Sequence, residues 1–191
     1  ENLSEGDRSM ALQALYTHRS QPSVLTALME HIHNGKLSES RERLTDSLLQ
    51  HLYPEHIRPS QVLRFLKSTH IEVNHPGFPM FWGYYIPKKT PLNLLPELME
   101  ALERTVDAGT FAQNSFAMAR HYIEGLETLT VTAILRFGAD IEVAKLSSWL
   151  MMCVDTETAP FSHLNSENTQ RLNGWCHQHP NLIKQVMAHQ V

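Results

Sequence analysis

The chain has 191 residues, of which 42% are hydrophobic, so it can bury a sizeable core, and this argues against wholesale disorder. Sixteen basic and 20 acidic side chains give a formal charge of −4, which gives no reason to expect nucleic acid or an anionic membrane as a partner. Two cysteines make no disulfide framework and favour a reducing compartment, and no apolar run reaches the roughly 18 residues of a membrane span. Because the chain begins at Glu1 without Met or a signal-like segment, we expect a fragment of a longer protein.

Helical runs follow one another along the chain, and each ends at small or polar residues. The predicted breaks fall, in chain order, at Asn34-Gly35, near His70, between Thr105 and Gly109, at Gly138–Asp140 and at Asn173-Gly174. The interval is roughly 35 residues, which is typical of a repeat array in which stacked units bury each other's apolar faces. The alternative is an ordinary helical bundle whose helices have similar lengths.

The breaks also indicate which repeat is present. In VTAILRFGADIEV (131–143), Gly138 is predicted to adopt the left-handed conformation that closes a helix, and Asp140 to hydrogen-bond the turn amides. The stretches 70–78 and 139–144 both carry Ile-Glu-Val after a helix and are predicted to be extended. An extended finger after each helix pair is the ankyrin arrangement, whereas tetratricopeptide units have short turns only.

The predicted fold class is therefore all-α, an ankyrin-like helical repeat solenoid with degenerate repeats and about four to five units. Residues 1–143 are assigned to the repeats and 144–191 to a C-terminal capping repeat. Positions with a predicted structural role in the repeats are Gly35, Asn74, Gly109, Gly138, Ala139 and Asp140. The usual Thr-Pro-Leu-His opening of the first helix appears nowhere intact, and NSFAMARHY (114–122) comes nearest to it.

Three stretches carry a more specific resemblance. Together ALQALYTH (11–18), VLRFLKSTHIEVN (62–74) and NSFAMARHYIEGLETLTVTAILRFGA (114–139) resemble the C-terminal ankyrin-repeat region of the OspC family of bacterial type III secretion effectors. The resemblance covers residues 10–143 in patches. It implies that an NAD-dependent arginine ADP-riboxanase domain, activated by host calmodulin, lies outside this chain. It also implies that this segment recruits the host substrate, a caspase, in the host cytoplasm, with no catalytic residue and no cofactor of its own.

Candidate partner-binding residues come from an aromatic cluster and from the predicted fingers. NHPGFPMFWGYY (74–85) is rich in aromatic residues and interrupted by Pro and Gly, which is typical of a superficial segment that carries interface anchors. The alternative is that Phe81, Trp82 and Tyr85 pack inward. The candidates are His75, Phe78, Phe81, Trp82 and Tyr84 from the cluster, and Asn34, Lys36, Asp107, Thr110, Glu142 and Lys145 from the fingers.

Other chemistry has weaker support in the sequence. Cys153 with Asp155 forms a Cys-x-Asp triplet that some thiol transferases use, but the neighbouring methionines favour a core cysteine. Cys176, His177 and His179 supply only half of a zinc pattern, so no metal site is predicted. The mixed charges of 40–46 and 97–107 are predicted to be solvated helix faces. A helical secretion chaperone or scaffold is a third interpretation.

Overall fold

The computed structural model describes residues 22–34, 43–65, 80–107, 120–154, 161 and 164–189, together with Ser4, Asp7, Met10, Ala11 and Ala14. All regular secondary structure within these ranges is helical, which confirms the all-α prediction for the part of the chain that is described. The helices are α1 (Pro22–His33), α2 (Arg43–Leu52), α3 (Pro59–Val62), α4 (the π-helical turn Phe81–Tyr85 continued by Ile86–Lys89), α5 (Leu95–Asp107), α6 (Arg120–Phe137), α7 (Val143–Met151), α8 (Ser166–Gln178) and α9 (Pro180–His189). A 3-10 turn at Leu63–Phe65 follows α3, and a second one at Leu92–Leu94 precedes α5.

From α2 onward the helices pack in two rows. The first row consists of α2, α4, α6 and α8, and each of these helices contacts the next one in the row. The second row consists of α3, α5, α7 and α9, which contact one another in the same way. Each helix therefore packs against the helix that lies two places further along the chain.

Helices within the first row run parallel. The Asp46 carboxylate, near the start of α2, accepts a hydrogen bond of 2.7 Å from the Phe81 backbone N–H at the start of α4. The Tyr53 and Thr90 hydroxyls, which follow the ends of the same two helices, lie 2.7 Å apart. The starts of α2 and α4 lie side by side, and so do their ends, so these two helices are parallel.

The second row is parallel as well. Ser60, at the start of α3, donates from its hydroxyl to Glu97 in the first turn of α5, at 2.6 Å. Lys145, in the first turn of α7, donates to Glu100 of α5 at 2.8 Å. Because a short turn joins each first-row helix to the following second-row helix, the two rows are antiparallel to each other. The turns 53–58, 90–94 and 138–142 and residue 179 therefore share one edge, here called the short-turn edge.

The N-terminal helix α1 extends this arrangement. It packs against α2, and Glu30 in its last turn forms an ion pair with Arg64 in the 3-10 turn after α3. The end of α1 thus lies beside the end of α3, as expected for a helix parallel to the second row. Helix α1 ends at His33 and is followed by a turn at Asn34, close to the predicted break.

Close packing within the first row depends on Gly125, in the middle of α6. A Cβ atom at this position would lie 2.1 Å from the Trp82 carbonyl oxygen and 2.8 Å from Cδ of Pro87. Glycine therefore lets the backbone of α6 approach α4 directly. Pro87 also bears on the geometry of α4, because its ring crowds the carbonyl four residues earlier, at Gly83, where the helix takes the wider π turn.

The break at Gly138 is confirmed, but its expected cause is wrong. Helix α6 ends at Phe137, and Gly138 donates its N–H to the Ile134 carbonyl at 2.8 Å without adopting a left-handed conformation. Space explains the glycine instead: a Cβ atom would lie 2.5 Å from the Ile134 oxygen and 2.8 Å from the Trp175 ring. Because Gly138 has no side chain, the indole of Trp175 in α8, the next helix of the first row, packs directly against it.

Two further local predictions are wrong. The stretch 139–144 is not an extended finger, because residues 138–140 form a turn and α7 begins at Val143, with Glu142 in extended backbone as its N-cap. The half-buried side chains of Ile141 and Val143 pack on the core, and this tertiary contact overrides their preference for strands. Asn173 and Gly174 do not break a helix either, since α8 continues through them to Gln178.

Candidate functional site

The aromatic cluster of α4 divides into a buried part and an exposed part. Phe81 and Trp82 are 0% and 2% exposed, so the expectation that they anchor a partner is corrected: both belong to the core. Phe81 packs edge-on against Tyr53 at 5.6 Å and against Trp82 at 5.1 Å. Asp46 holds the Phe81 N–H, and Gly125 lies against the Trp82 backbone. These contacts with neighbouring helices turn both rings inward.

Tyr84 lies on the opposite side of the helix, with 49% of its surface exposed. Met80, one turn earlier, is 47% exposed, and Lys88, one turn later, is also exposed. The Lys88 ammonium lies 3.5 Å from the centroid of the Tyr84 ring. Its hydrogen bond and positive charge lower the pKa of Tyr84. Met80, Tyr84 and Lys88 are called the Tyr84 face below.

The Tyr84 face lies in the interior of the first row, since α4 is flanked by α2 and α6. On the α2 side, Lys89 donates to the Gln50 carbonyl near the end of that helix. Burial and the nearby charge of Lys89 lower the pKa of His51. The side chains next to the face on this flank are thus polar or basic.

The other candidate partner-binding residues are not brought together. Asn34 and Glu142 are exposed, whereas Lys145 is half-buried and forms an ion pair with Glu100 at 2.8 Å. Glu142 and Lys145 lie at the short-turn edge, but Asp107 ends α5 at the opposite edge. A single row of fingers through all of them does not fit this arrangement. His75, Phe78, Lys36, Thr110, Gly35, Asn74 and Gly109 lie outside the described residues, while Ala139 and Asp140 form an exposed turn.

The environment of Cys153 does not favour a thiolate. Its side chain packs against the core, where burial raises the pKa of the thiol to about 12, with a smaller contribution from the negative charge of Glu127. A nucleophilic cysteine needs the opposite shift. Asp155, its expected assistant, lies outside the described residues. Burial raises the pKa of Cys176 as well.

The two histidines near Cys176 have local structural contacts. His177 Nδ1 lies 2.7 Å from the Asn173 carbonyl oxygen, and His179 Nδ1 lies 2.9 Å from the Trp175 carbonyl oxygen. The His179 ring also stacks on the Trp175 indole at 4.5 Å. Within the described ranges, no three His, Cys, Asp or Glu side chains are grouped so that they could hold a metal ion.

Sequence reasoning missed three carboxylates that join neighbouring helices. Asp46 is buried and accepts from the Phe81 N–H, whereas 40–46 was predicted to be a solvated face. Glu97, half-buried, accepts from the Arg58 guanidinium at 2.7 Å and from Ser60, and these hydrogen bonds lower its pKa to about 2.

The third carboxylate, Glu127, is 3% exposed and lies in the middle of α6. Its Oε1 accepts from the Asn165 N–H at 2.9 Å and from the Asn168 side-chain amide at 2.8 Å, at the start of α8. Each of the three acids thus satisfies donors at the start of a neighbouring helix in its own row, which a charge pattern along one helix does not reveal.

Comparison with known proteins adds no assignment. No protein-family model matches the chain, and neither a curated protein nor a solved structure shows significant similarity to it. Among the described helices, none has both the length and the apolar character needed to cross a membrane.

Proposed function

We propose that this chain is a protein-interaction module built from ankyrin-like, degenerate helix pairs, and that it recruits a host protein to a catalytic domain outside the chain. The pairs are α2–α3, α4–α5, α6–α7 and α8–α9, with α1 as the second helix of a preceding pair. The observation that carries the proposal is the packing of each helix on the helix two places further along the chain.

Hydrogen bonds between the pairs support this repeat. Residues that connect neighbouring helices of a row lie between 34 and 45 positions apart in the chain, from Glu30 with Arg64 to Glu100 with Lys145. Tyr53 with Thr90, Arg58 with Glu97 and Glu127 with Asn168 fall within the same interval. A separation confined to about one repeat length is expected when each unit contacts only its neighbours.

The first row offers the surface that such a module would use. Stacked repeats bind partners along an extended face to which every unit contributes. Tyr84 is an exposed aromatic side chain on a helix fixed by buried contacts, and rigid Tyr residues are frequent interface anchors. The Tyr84 face therefore replaces the whole aromatic cluster as the proposed anchor of the interface.

The outer surface of α8 agrees with a role as the capping unit. Its exposed residues are polar apart from Gly174: Ser166, Glu167, Thr169, Gln170, Asn173, His177 and Gln178. Terminal repeats need such a face because no further unit covers them. This supports the assignment of the last helix pair, within 144–191, to a cap.

The identity of the partner rests on the sequence resemblance alone. By that resemblance the partner is a caspase in the host cytoplasm, the catalytic domain is an arginine ADP-riboxanase, and calmodulin acts on that domain and not on this chain. The thiol-transferase alternative is disfavoured by the raised pKa of Cys153. No contact among the described residues favours a secretion chaperone.

A calorimetric titration of this chain against purified inflammatory and apoptotic caspases tests the proposal. We expect saturable binding to one of them with a Kd of about 1 μM or tighter, and at least tenfold weaker binding by Tyr84→Ala. Met187→Ala, which removes an exposed apolar side chain from α9, is the matched control and should bind like the parent. If none of the caspases binds, the identification of the partner as a caspase, which rests on the family resemblance, is wrong. An equal loss of caspase affinity in both variants would contradict the assignment of the Tyr84 face as the binding surface.

A further inference from the structure

Lys88 is held differently from several other cations in the described part of the chain. Arg58, Arg64 and Lys145 form ion pairs with Glu97, Glu30 and Glu100 of neighbouring helices. Lys88 instead lies over the Tyr84 ring, with its ammonium 3.5 Å from the ring centroid. A ring occupies one side of an ammonium group and leaves its charge uncompensated, so the cation is positioned for an anion that comes from outside.

The surroundings of Lys88 specify more than charge. Tyr84 and Met80 continue the same helical face, one and two turns away respectively, and about half of each residue is exposed. On the side of α4 that faces α2, Lys89 reaches the end of α2, and its charge lies close to His51. A cation beside apolar surface, with a second lysine nearby, complements an acidic group that has an apolar neighbour.

We propose that the protein partner of this module presents a carboxylate to Lys88 and an apolar side chain, one helical turn away, to Tyr84 and Met80. This inference rests on the proposed function and adds the chemical character of the partner. An ammonium group over an aromatic ring suits a carboxylate with an apolar neighbour. A nucleic acid would require a row of cations, which the formal charge of −4 does not favour.

The Met80 methyl group provides a direct reporter. The chain is labelled with [13C-methyl]methionine, and the Met80 signal is assigned with Met80→Leu. Two helical peptides are then titrated to about 1 mM, one with Glu and Leu a turn apart and one with Gln in place of Glu. We expect the Met80 signal to shift with the Glu peptide only, while the signal of Met187, exposed on α9, stays in place. A Met80 shift that depends on the concentration of the chain itself would indicate a second copy as the occupant and overturn the proposal.

Charge variants complete the test. Lys88→Gln should abolish the shift caused by the Glu peptide, whereas Lys184→Gln, which removes an exposed lysine from α9, should leave it unchanged. For any caspase that binds, Lys88→Glu should weaken binding about tenfold. Caspase binding that is insensitive to Lys88→Glu would overturn this inference and leave the proposed function standing. If no caspase binds, the absence of any Met80 shift with the Glu peptide overturns it.

Discussion

Replacing Gly125 with alanine would place a methyl group between the backbones of α6 and α4. That methyl carbon would lie 2.1 Å from the Trp82 carbonyl oxygen, 2.8 Å from Cδ of Pro87 and 2.9 Å from Cγ2 of Ile86. The nearest of these atoms belongs to the main chain of α4 and cannot turn aside like the end of a flexible side chain. The overlap can be relieved only by separating the two helices.

Two opposing effects set the expected magnitude. Alanine in a helix interior is favoured over glycine by about 0.5–1 kcal/mol because the unfolded chain loses less conformational freedom. Overpacking a core costs about 1–3 kcal/mol, and the contact with a backbone oxygen places Gly125→Ala at the upper end of that range. The net expectation is a loss of about 2 kcal/mol in the free energy of unfolding.

Gly174 provides the matched control, because a Cβ atom there would meet nothing within 4 Å although the residue lies inside α8. Gly174→Ala should therefore stabilise the chain by about 0.5–1 kcal/mol. Urea unfolding followed by far-UV circular dichroism measures both changes. If Gly125→Ala proved as stable as the parent, the close approach of α6 to α4 would be refuted.

Three further predictions concern single side chains. Glu127→Ala should lower the free energy of unfolding by about 2–4 kcal/mol, because it leaves the donors of Asn165 and Asn168 without the carboxylate that accepts from them. Glu127→Gln keeps an oxygen at this position and should lower it by about 1 kcal/mol. Equal losses for the two variants in urea unfolding would contradict this role of Glu127. The Glu97 pKa is lowered from 4.5 to about 2, so its carboxylate stabilises the fold above pH 4.5, and this contribution is lost as the pH falls towards 2. Solvent screening limits it to about 1 kcal/mol, and Glu97→Gln should flatten the dependence of unfolding free energy on pH in that window. Iodoacetamide at neutral pH should leave Cys153 unlabelled in the folded chain, because the pKa of its thiol is about 12, and should label it in urea. Rapid labelling of Cys153 in the folded chain would contradict the packing of this side chain against the core.

Local sequence signals predicted the helices well where a turn is determined by nearby residues. The end of α1 at His33 falls at the predicted break Asn34-Gly35. Helix α6 ends next to Gly138 as predicted, but that glycine is explained by the room it leaves for Trp175, which is distant in sequence. Asn173-Gly174 carries a similar signal, yet α8 continues through it. A short polar-glycine motif permits a helix to end, but packing elsewhere decides whether it does.

The spacing of the predicted breaks is ambiguous because the breaks belong to two kinds of connection between helices. The breaks near Gly35 and Gly109 follow second-row or equivalent helices, whereas Gly138 lies in a short turn between a first-row and a second-row helix. The wrong assignment for 139–144 comes from its Ile-Glu-Val, because the packing of Ile141 and Val143 on the core overrides their preference for strands. The hydrogen bonds from Asp46 to Phe81 and from Glu100 to Lys145 give the spacing between neighbouring helices directly, and they exist only in the folded chain.

The composition of α4 alone did not separate its buried and exposed aromatic residues. Phe81, Trp82 and Tyr84 lie within one π-helical turn, which is too short for a repeating pattern to show which side of the helix is buried. Contacts with Asp46 and Gly125, which are distant in sequence, turn Phe81 and Trp82 inward and leave Tyr84 outside. Identifying the candidate site therefore required the tertiary structure.

The proposed interaction surface depends on the proposed stack of helix pairs, and distances along the short-turn edge test that stack most directly. Spin labels on cysteines introduced at Glu55, Asn93, Ala139 and Asn181, all exposed residues, report these distances by pulsed electron resonance in a Cys153→Ala, Cys176→Ala background. Helices packed about 10 Å apart in a row predict that the distance from Glu55 grows with each unit, to about 20 Å at Ala139 and about 30 Å at Asn181. A distance from Glu55 to Asn181 shorter than that from Glu55 to Ala139 would indicate a closed bundle and contradict the stack.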